Sequence, residues 1–172
     1  MNGFAEVPDA LRRHAEAACE IRAQPSSIFE YVDRPERLSA HMARRSWRLA
    51  GATMAIETDA DGGRAVGSHI RLTGRMLGVH LYVEGRVVLR EPPRLKAWET
   101  VGEPRLLVIG RYRMSVSIEP RGDLSRVTIA IDYALPTSAP ARWLGALFAS
   151  MYAHWCVGQM TQDLVRQFAA SD

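Results

Sequence analysis

The sequence has few of the residues that cross-link or strongly charge a small protein. It contains only two cysteines, Cys19 and Cys156, so it cannot form a disulfide scaffold, and nothing else in it indicates an oxidising compartment. Lysine is almost absent, since Lys96 is the single lysine among 22 basic residues and the net charge is +3. The arginines are scattered, whereas nucleic-acid binding needs a concentrated basic patch. These scarcities exclude a disulfide-rich class and give no support to a nucleic-acid partner.

Motifs that carry chemistry are scarce as well. The sequence contains no cysteine and histidine spacing typical of metal ligands, no glycine loop that cradles phosphate, and no nucleophile elbow. It therefore indicates no metal, no cofactor and no assignable catalytic residue. Residues 1–13 lack the apolar stretch of a signal peptide, so a cytoplasmic location is the default expectation.

The apolar pattern predicts one α+β domain with an N-terminal extension at 1–13, a sheet with two short helices at 14–135, and a long helix at 140–169. Alternation predicts a first strand at Ala15–Ala23, and Pro25 and Glu36 begin the two short helices, the second reaching Met42. Further strands are predicted at Trp47–Thr58, Val66–Met76, Val79–Arg90, Leu95–Val101, Leu106–Glu119 and Leu124–Leu135. Their hairpin-like succession predicts an antiparallel meander.

The last predicted helix, Ala141–Ala169, has more apolar surface than one sheet face easily covers. At about 1.5 Å per residue it would be roughly 43 Å long. Helical periodicity gathers Leu144, Leu147, Phe148, Met151 and Trp155 on one face, which we expect to be turned toward the interior. The surplus apolar surface has three interpretations: contact with the short helices and loops, a homodimer or partner interface, or peripheral contact with a membrane.

Two stretches of the chain contain short motifs at architectural positions. The first contains Ala23-Gln24-Pro25 and then Asp33 after a short helix; the second contains Glu91-Pro92-Pro93-Arg94 and then Gly110. Together they resemble the START-like superfamily, also called SRPBCC, and within it the polyketide cyclase/dehydrase and lipid-transport group. The resemblance implies a helix-grip fold, in which an antiparallel sheet of about seven strands wraps around the long C-terminal helix and encloses an apolar cavity. The resemblance assigns no catalytic residue to any position of this chain.

Alternation along the strands predicts which side chains would line that cavity. The candidate ligand-binding residues are Ile70, Leu72, Leu81, Val83, Trp98, Tyr112, Met114, Val116, Ile131 and Tyr133 on the sheet, and Leu147, Phe148, Met151, His154 and Trp155 on the helix. A cavity of about 300–1,000 Å³ is typical of ligand sites. The expected ligand is an apolar or amphipathic small molecule, lipid-like or polyketide-like, and the expected role is that of a carrier or sensor.

Two other functions remain open at this point. An aromatase/cyclase or dehydratase would use His154, Tyr112 or Tyr133 as acid/base groups. A protein-interaction module would instead use the apolar face of the last helix. The polar strand face with His80, Tyr82 and Glu84 could form an acid/base cluster, but its neighbours Leu81, Val83 and Val87 need the interior more. We therefore expect that polar face to be turned toward solvent.

Overall fold

A computed structural model describes residues 11–38, 53–76 and 78–170 of the chain. In these ranges the order of elements is β1 (Arg13–Ile21), α1 (Pro25–Val32), α2 (Pro35–Leu38), β2 (Thr53–Thr58), β3 (His69–Met76), β4 (Val79–Glu91), β5 (Leu95–Arg105), β6 (Tyr112–Arg121), β7 (Leu124–Tyr133) and α3 (Ala139–Ala169). The strands form one antiparallel sheet in the order β1-β7-β6-β5-β4-β3-β2. The predicted helix-grip architecture is confirmed. The expected continuation of the second helix to Met42 and the first part of the Trp47–Thr58 strand lie outside the described residues.

The predicted strand Leu106–Glu119 is wrong in its first part. The preceding strand β5 extends to Arg105, and β6 begins only at Tyr112. Between them the chain passes close to the segment that follows β7, where the Gly110 N–H donates to the Ala134 carbonyl oxygen at 2.9 Å. A Cβ atom on Gly110 would lie 2.6 Å from the Leu135 carbonyl oxygen, so this close passage requires glycine.

The side chains that β4 turns toward the core are those that the alternation in the sequence predicts. Leu81, Val83 and Val87 are buried on β4, whereas His80 is exposed and Glu84 is half-buried. One buried cluster joins β1, β6 and β7 to α1 and α3, and a second lies on β3 and β4. The side chains of Trp98 and Tyr112 pack against both clusters, so they connect the two halves of the core.

The orientation of α3 differs from the sequence expectation. The helix packs on β1 and β7 through a face of mostly small side chains, which comprises Gly145, Ala149, Ala153, Cys156, Val157, Met160, Thr161 and Leu164. Leu147, Phe148 and Met151, expected inside, are exposed, as is His154, and Trp155 is half-buried. The expectation was wrong because hydrophobicity weights leucine and methionine above alanine and glycine. Close helix–sheet packing favours the small residues.

A buried ion cluster holds the two short helices against the sheet. The Lys96 ammonium group donates to Asp33 Oδ1 at 2.9 Å, to the Asp33 carbonyl oxygen at 2.8 Å, and to the Gly63 carbonyl oxygen at 3.0 Å. Arg90 donates to the same carboxylate, with Nη2 2.8 Å from Oδ2, and its guanidinium lies over the Phe29 ring. The cluster thereby joins the end of α1 and the turn before β3 to strands β4 and β5.

The backbone places each acceptor of this cluster. Asp33 caps the C-terminus of α1, where its N–H donates to the Phe29 carbonyl oxygen at 2.8 Å. Gly63 has a φ of +67°, and a Cβ there would lie 2.9 Å from side-chain atoms of both Pro35 and Ile70. Any other residue would therefore move the carbonyl group that Lys96 binds.

The electrostatics of the cluster favour the ionised pair. Burial alone would raise the pKa of Asp33, but hydrogen bonds from Arg90 and Lys96 outweigh it, so the pKa of this carboxyl lies below its ordinary value. Burial lowers the pKa of Lys96, against the opposing effect of the Asp33 carboxylate. Each N–H of the ammonium group has an acceptor within 3.0 Å, which is the arrangement that a protonated lysine requires.

We expect the buried ion cluster to contribute more to the free energy of unfolding than the surface ion pairs do. Asp33→Ala leaves the buried Lys96 ammonium without a counter-charge and should lower the free energy of unfolding by about 3–5 kcal/mol. Lys96→Met should cost less, about 3 kcal/mol, because Asp33 keeps Arg90. Arg86→Met breaks the exposed pair with Glu99 and should change stability by no more than about 0.5 kcal/mol. Chemical denaturation measures all three, and a Lys96→Met protein as stable as the parent would contradict this ranking.

A matched pair of glycines on α3 tests its packing. In Gly145→Ala the added Cβ would lie 2.8 Å from the Val108 carbonyl oxygen and 2.9 Å from Pro136 Cδ, so we expect a loss of about 1–3 kcal/mol. In Gly158→Ala the Cβ meets no atom within 4 Å, and the better helix propensity of alanine should add about 0.5–1 kcal/mol. Equal effects of the two substitutions in chemical denaturation would refute the observed orientation of α3.

Candidate functional site

A mostly apolar cavity lies between the short helices, the sheet and α3. Its wall consists of Val32, Pro35, Ile70, Leu72, Lys96, Trp98, Tyr112, Met114, Cys156 and Met160. Strands β3, β5 and β6 supply the sheet side, α1 and α2 supply one end, and two residues one turn apart on α3 supply the opposite side. The site is therefore located where the sheet and the last helix face each other.

Part of this wall agrees with the residues predicted from the sequence. Ile70, Leu72, Tyr112 and Met114 were predicted by strand alternation and Trp98 by the enrichment in methionine and aromatic residues, and the structure brings the five together. The prediction missed Val32, Pro35, Lys96, Cys156 and Met160. The sequence did contain a signal for Met160, because it lies on a different helical arc from Met151. Nothing in the local pattern marked Lys96.

The other predicted residues lie elsewhere. Leu81, Val83, Val116, Ile131 and Tyr133 are buried but form packed core rather than cavity wall. Leu147, Phe148, Met151 and His154 lie on the outer side of α3, and half-buried Trp155 also lies outside the wall. These five helix residues are the part of the predicted site that the structure does not bring to the cavity.

The cavity is much smaller than the predicted 300–1,000 Å³. The volume enclosed by its described wall is about 50 Å³, which is room for only a few water molecules. Trp98, Met114 and Met160 contribute large side chains to the wall. Methionine is unbranched and has three rotatable bonds, so part of this wall is easily rearranged.

The polar groups of the wall are Lys96, Tyr112 and Cys156. Burial, and next the neighbouring Cys156, raise the pKa of Tyr112 well above its ordinary value. Burial raises the pKa of the Cys156 thiol to about 12. At neutral pH both groups are therefore protonated, and they can donate hydrogen bonds but cannot act as a base or a nucleophile.

The backbone of Tyr112 is fixed by a side chain of the neighbouring strand. The Thr100 hydroxyl donates to the Tyr112 carbonyl oxygen at 3.0 Å and accepts from the Tyr112 N–H at 3.0 Å. This pair of hydrogen bonds closes the start of β6 against β5, where the regular pairing has ended at Glu99 and Arg113. The ring of Tyr112 is thus held at the cavity wall by a rigid backbone.

The acid/base groups considered for an enzyme are not assembled. His154 is exposed, with Nδ1 2.8 Å from the Ser150 carbonyl oxygen, and Tyr133 is only 1% exposed within the core. Lys96 uses all three of its N–H groups in the ion cluster, so it has no free electron pair for nucleophilic attack. Of the three predicted groups, Tyr112 alone reaches the wall.

The polar strand face is a surface network, as expected. The Glu84 carboxylate accepts from the Tyr82 hydroxyl at 2.8 Å and from His69 Nδ1 at 2.8 Å. These hydrogen bonds, that of Tyr82 first, hold the pKa of Glu84 below its ordinary value. The network lies on the side of the sheet opposite to Leu81 and Val83, away from the cavity.

No group of three or more histidine, cysteine, aspartate or glutamate side chains among residues 11–38, 53–76 and 78–170 could hold a metal ion. In the same ranges, no helix combines the length and the apolar character needed to cross a bilayer.

Comparison with solved structures identifies the same fold in other proteins. The protein TTHA0849 from Thermus thermophilus is 14% identical, with a TM-score of 0.65 over 93% of this chain and 99% of that one. Norcoclaurine synthase from Thalictrum flavum, in complex with dopamine and hydroxybenzaldehyde, is 15% identical, with a TM-score of 0.64 over 100% of this chain and 97% of that one. Ara h 8.0201 is 11% identical, with a TM-score of 0.56 over 90% and 98% of the two chains.

Sequence comparison gives a more specific result. No curated protein matches the chain. A sequence model of one family, described as polyketide cyclase / dehydrase and lipid transport, matches residues 12–169, a range that includes the whole sheet and all of α3. The chain belongs to the polyketide cyclase / dehydrase and lipid transport family, within the START-like group.

Proposed function

We propose that the protein is a cytoplasmic carrier or sensor that binds an apolar or amphipathic small molecule, lipid-like or polyketide-like, between the sheet and α3. The observation that carries this proposal is the composition of the cavity wall. Seven of its ten residues are apolar, and the three polar ones are a paired ammonium group and two neutral donors. Membership of a lipid-transport family supports the proposal, as does the fold shared with a synthase solved with two small aromatic molecules.

Binding requires the cavity to expand. A volume of about 50 Å³ holds no lipid chain, so the ligand must displace side chains of the wall. Met114 and Met160 suit this role because a methionine changes rotamer at low cost. Each ligand methylene transferred from water into the apolar wall contributes about 0.8 kcal/mol, which offsets the rearrangement once several are buried.

The neutral donors give an amphipathic ligand one polar contact. The Tyr112 hydroxyl and the Cys156 thiol both belong to the wall, and both remain protonated at neutral pH. The Tyr112 hydroxyl can donate to a carbonyl or hydroxyl oxygen of the ligand. A cyclase or dehydratase would need a base among these groups, and their raised pKa values act against that alternative.

Substitutions on opposite faces of α3 test the position of the binding site. Met160→Trp should fill the cavity and weaken binding of an environment-sensitive fluorescent fatty acid by at least about tenfold, while overpacking costs the fold about 1–3 kcal/mol. Met151→Trp, on a side chain that is 66% exposed, is the matched control and should bind as the parent does. Thermal unfolding verifies that both variants are folded. If Met151→Trp weakened binding and Met160→Trp did not, the site would lie on the outer face of α3.

Tryptophan fluorescence gives an independent measurement. Trp98 belongs to the wall, so a ligand that enters the cavity should quench or shift its emission. The response should be lost in Trp98→Phe and retained in Trp143→Phe, because Trp143 is 76% exposed and lies outside the wall. A response that depended on Trp143 instead would contradict binding between the sheet and α3.

A further inference from the structure

The side of α3 that faces away from the sheet carries an unusual apolar surface. We define the α3 stripe as Trp143, Leu144, Leu147, Phe148 and Met151, whose exposed fractions are 76%, 45%, 70%, 44% and 66%. Within the described part of the chain, none of the five belongs to the buried residues of the two core clusters. Half-buried Trp155, which packs against the first cluster, continues the stripe by one turn. The core therefore leaves much of the stripe uncovered.

The geometry of the stripe is that of a continuous helix face. At about 100° per residue its five members occupy an arc of roughly 140°, opposite to the small residues that contact the sheet. From Trp143 to Trp155 it is about 18 Å long. The exposed apolar area is roughly 600 Å², at the upper limit for a patch on a monomeric protein. With a polar rim it approaches the approximately 800 Å² per partner of a stable interface.

The distribution of charge along α3 distinguishes between the possible partners of the α3 stripe. No charged residue occurs between Trp143 and Gln162, and the nearest are Arg142, Asp163 and Arg166. A helix that lies on an anionic membrane needs many basic residues beside its apolar face, and α3 has only two arginines near its ends. A second copy of the same chain needs no complementary charge, because a two-fold axis pairs an uncharged stripe with itself.

We propose that the α3 stripe is the interface of a symmetric homodimer in which two copies of α3 pack antiparallel. With the two-fold axis near Leu147 and Met151, the Trp143 end of one stripe meets the Trp155 end of the other. Phe148 then lies near the centre of the interface, where aromatic side chains contribute most to binding, and Trp143 and Trp155 meet at its two ends. Cys156 and Met160 remain on the opposite face of α3, so pairing does not occupy the cavity.

The oligomeric state in solution tests this proposal. Size-exclusion chromatography with light scattering should give twice the chain mass of 19.2 kDa for the parent protein over a wide range of concentration. The double variant Leu147→Glu with Met151→Glu should be monomeric, with the dimer dissociation constant raised at least about 100-fold, because pairing would bury four carboxylates. Val66→Glu is the matched control, since Val66 is 63% exposed outside the stripe, and it should remain dimeric.

The double variant should remain folded, because both side chains are mostly exposed, and an unchanged unfolding midpoint verifies this. Two results would overturn the dimer: a monomeric parent protein at every concentration, or a double variant that dimerises as the parent does. Sedimentation with vesicles of phosphatidylcholine and phosphatidylserine then distinguishes between the two remaining partners of the stripe, a lipid surface and another segment of the same chain. Vesicle binding that the double variant loses assigns the stripe to a lipid surface, whereas no vesicle binding and slow hydrogen exchange along the stripe assign it to another segment of the same chain.

Discussion

The position of the cavity depends on one buried ammonium group. Lys96 on β5 binds acceptors that lie 63 and 33 residues earlier in the sequence, so one side chain joins the sheet to the end of α1 and to the turn before β3. Val32 and Pro35, which close one end of the cavity, flank the Asp33 that this ammonium group binds. A buried ion pair gains little net stability over a well-packed apolar substitute. Its value here is geometric, because it fixes the short helices in a single place.

The small residues of α3 have two consequences on opposite sides of the helix. Gly145 lets the helix approach Val108 and Pro136 closely, and Ala149 and Ala153 are fully buried on the face that packs on the sheet. Because the inner face uses small side chains, the larger apolar ones are on the outer face, where the sheet cannot cover them. The close packing of α3 and the exposed stripe thus have the same origin in the sequence of one helix.

The sequence predicted the sheet better than the helix. On β4, alternation placed Leu81, Val83 and Val87 inside correctly, because a strand has only two faces and the apolar set selects one. A helix has a continuous range of rotations, and a count of hydrophobic residues selected the wrong one for Met151. The burial of Lys96 was unpredictable, since its partner Asp33 is distant in the sequence. The cavity volume was unpredictable too, because it depends on the rotamers of Met114 and Met160.

For the proposed ligand, the energetics of the wall favour selection by size over selection by polar group. A ligand hydrogen bond to the Tyr112 hydroxyl would add a net contribution of about 1 kcal/mol, since water offers the same bond to the free ligand. One further methylene adds nearly as much, about 0.8 kcal/mol, until the wall can expand no more. Beyond that limit each added group forces side chains out of their preferred rotamers, at a cost of about 1–3 kcal/mol. Affinity should therefore rise with ligand size and then fall, and the turning point is set by how far Trp98, Met114 and Met160 can move.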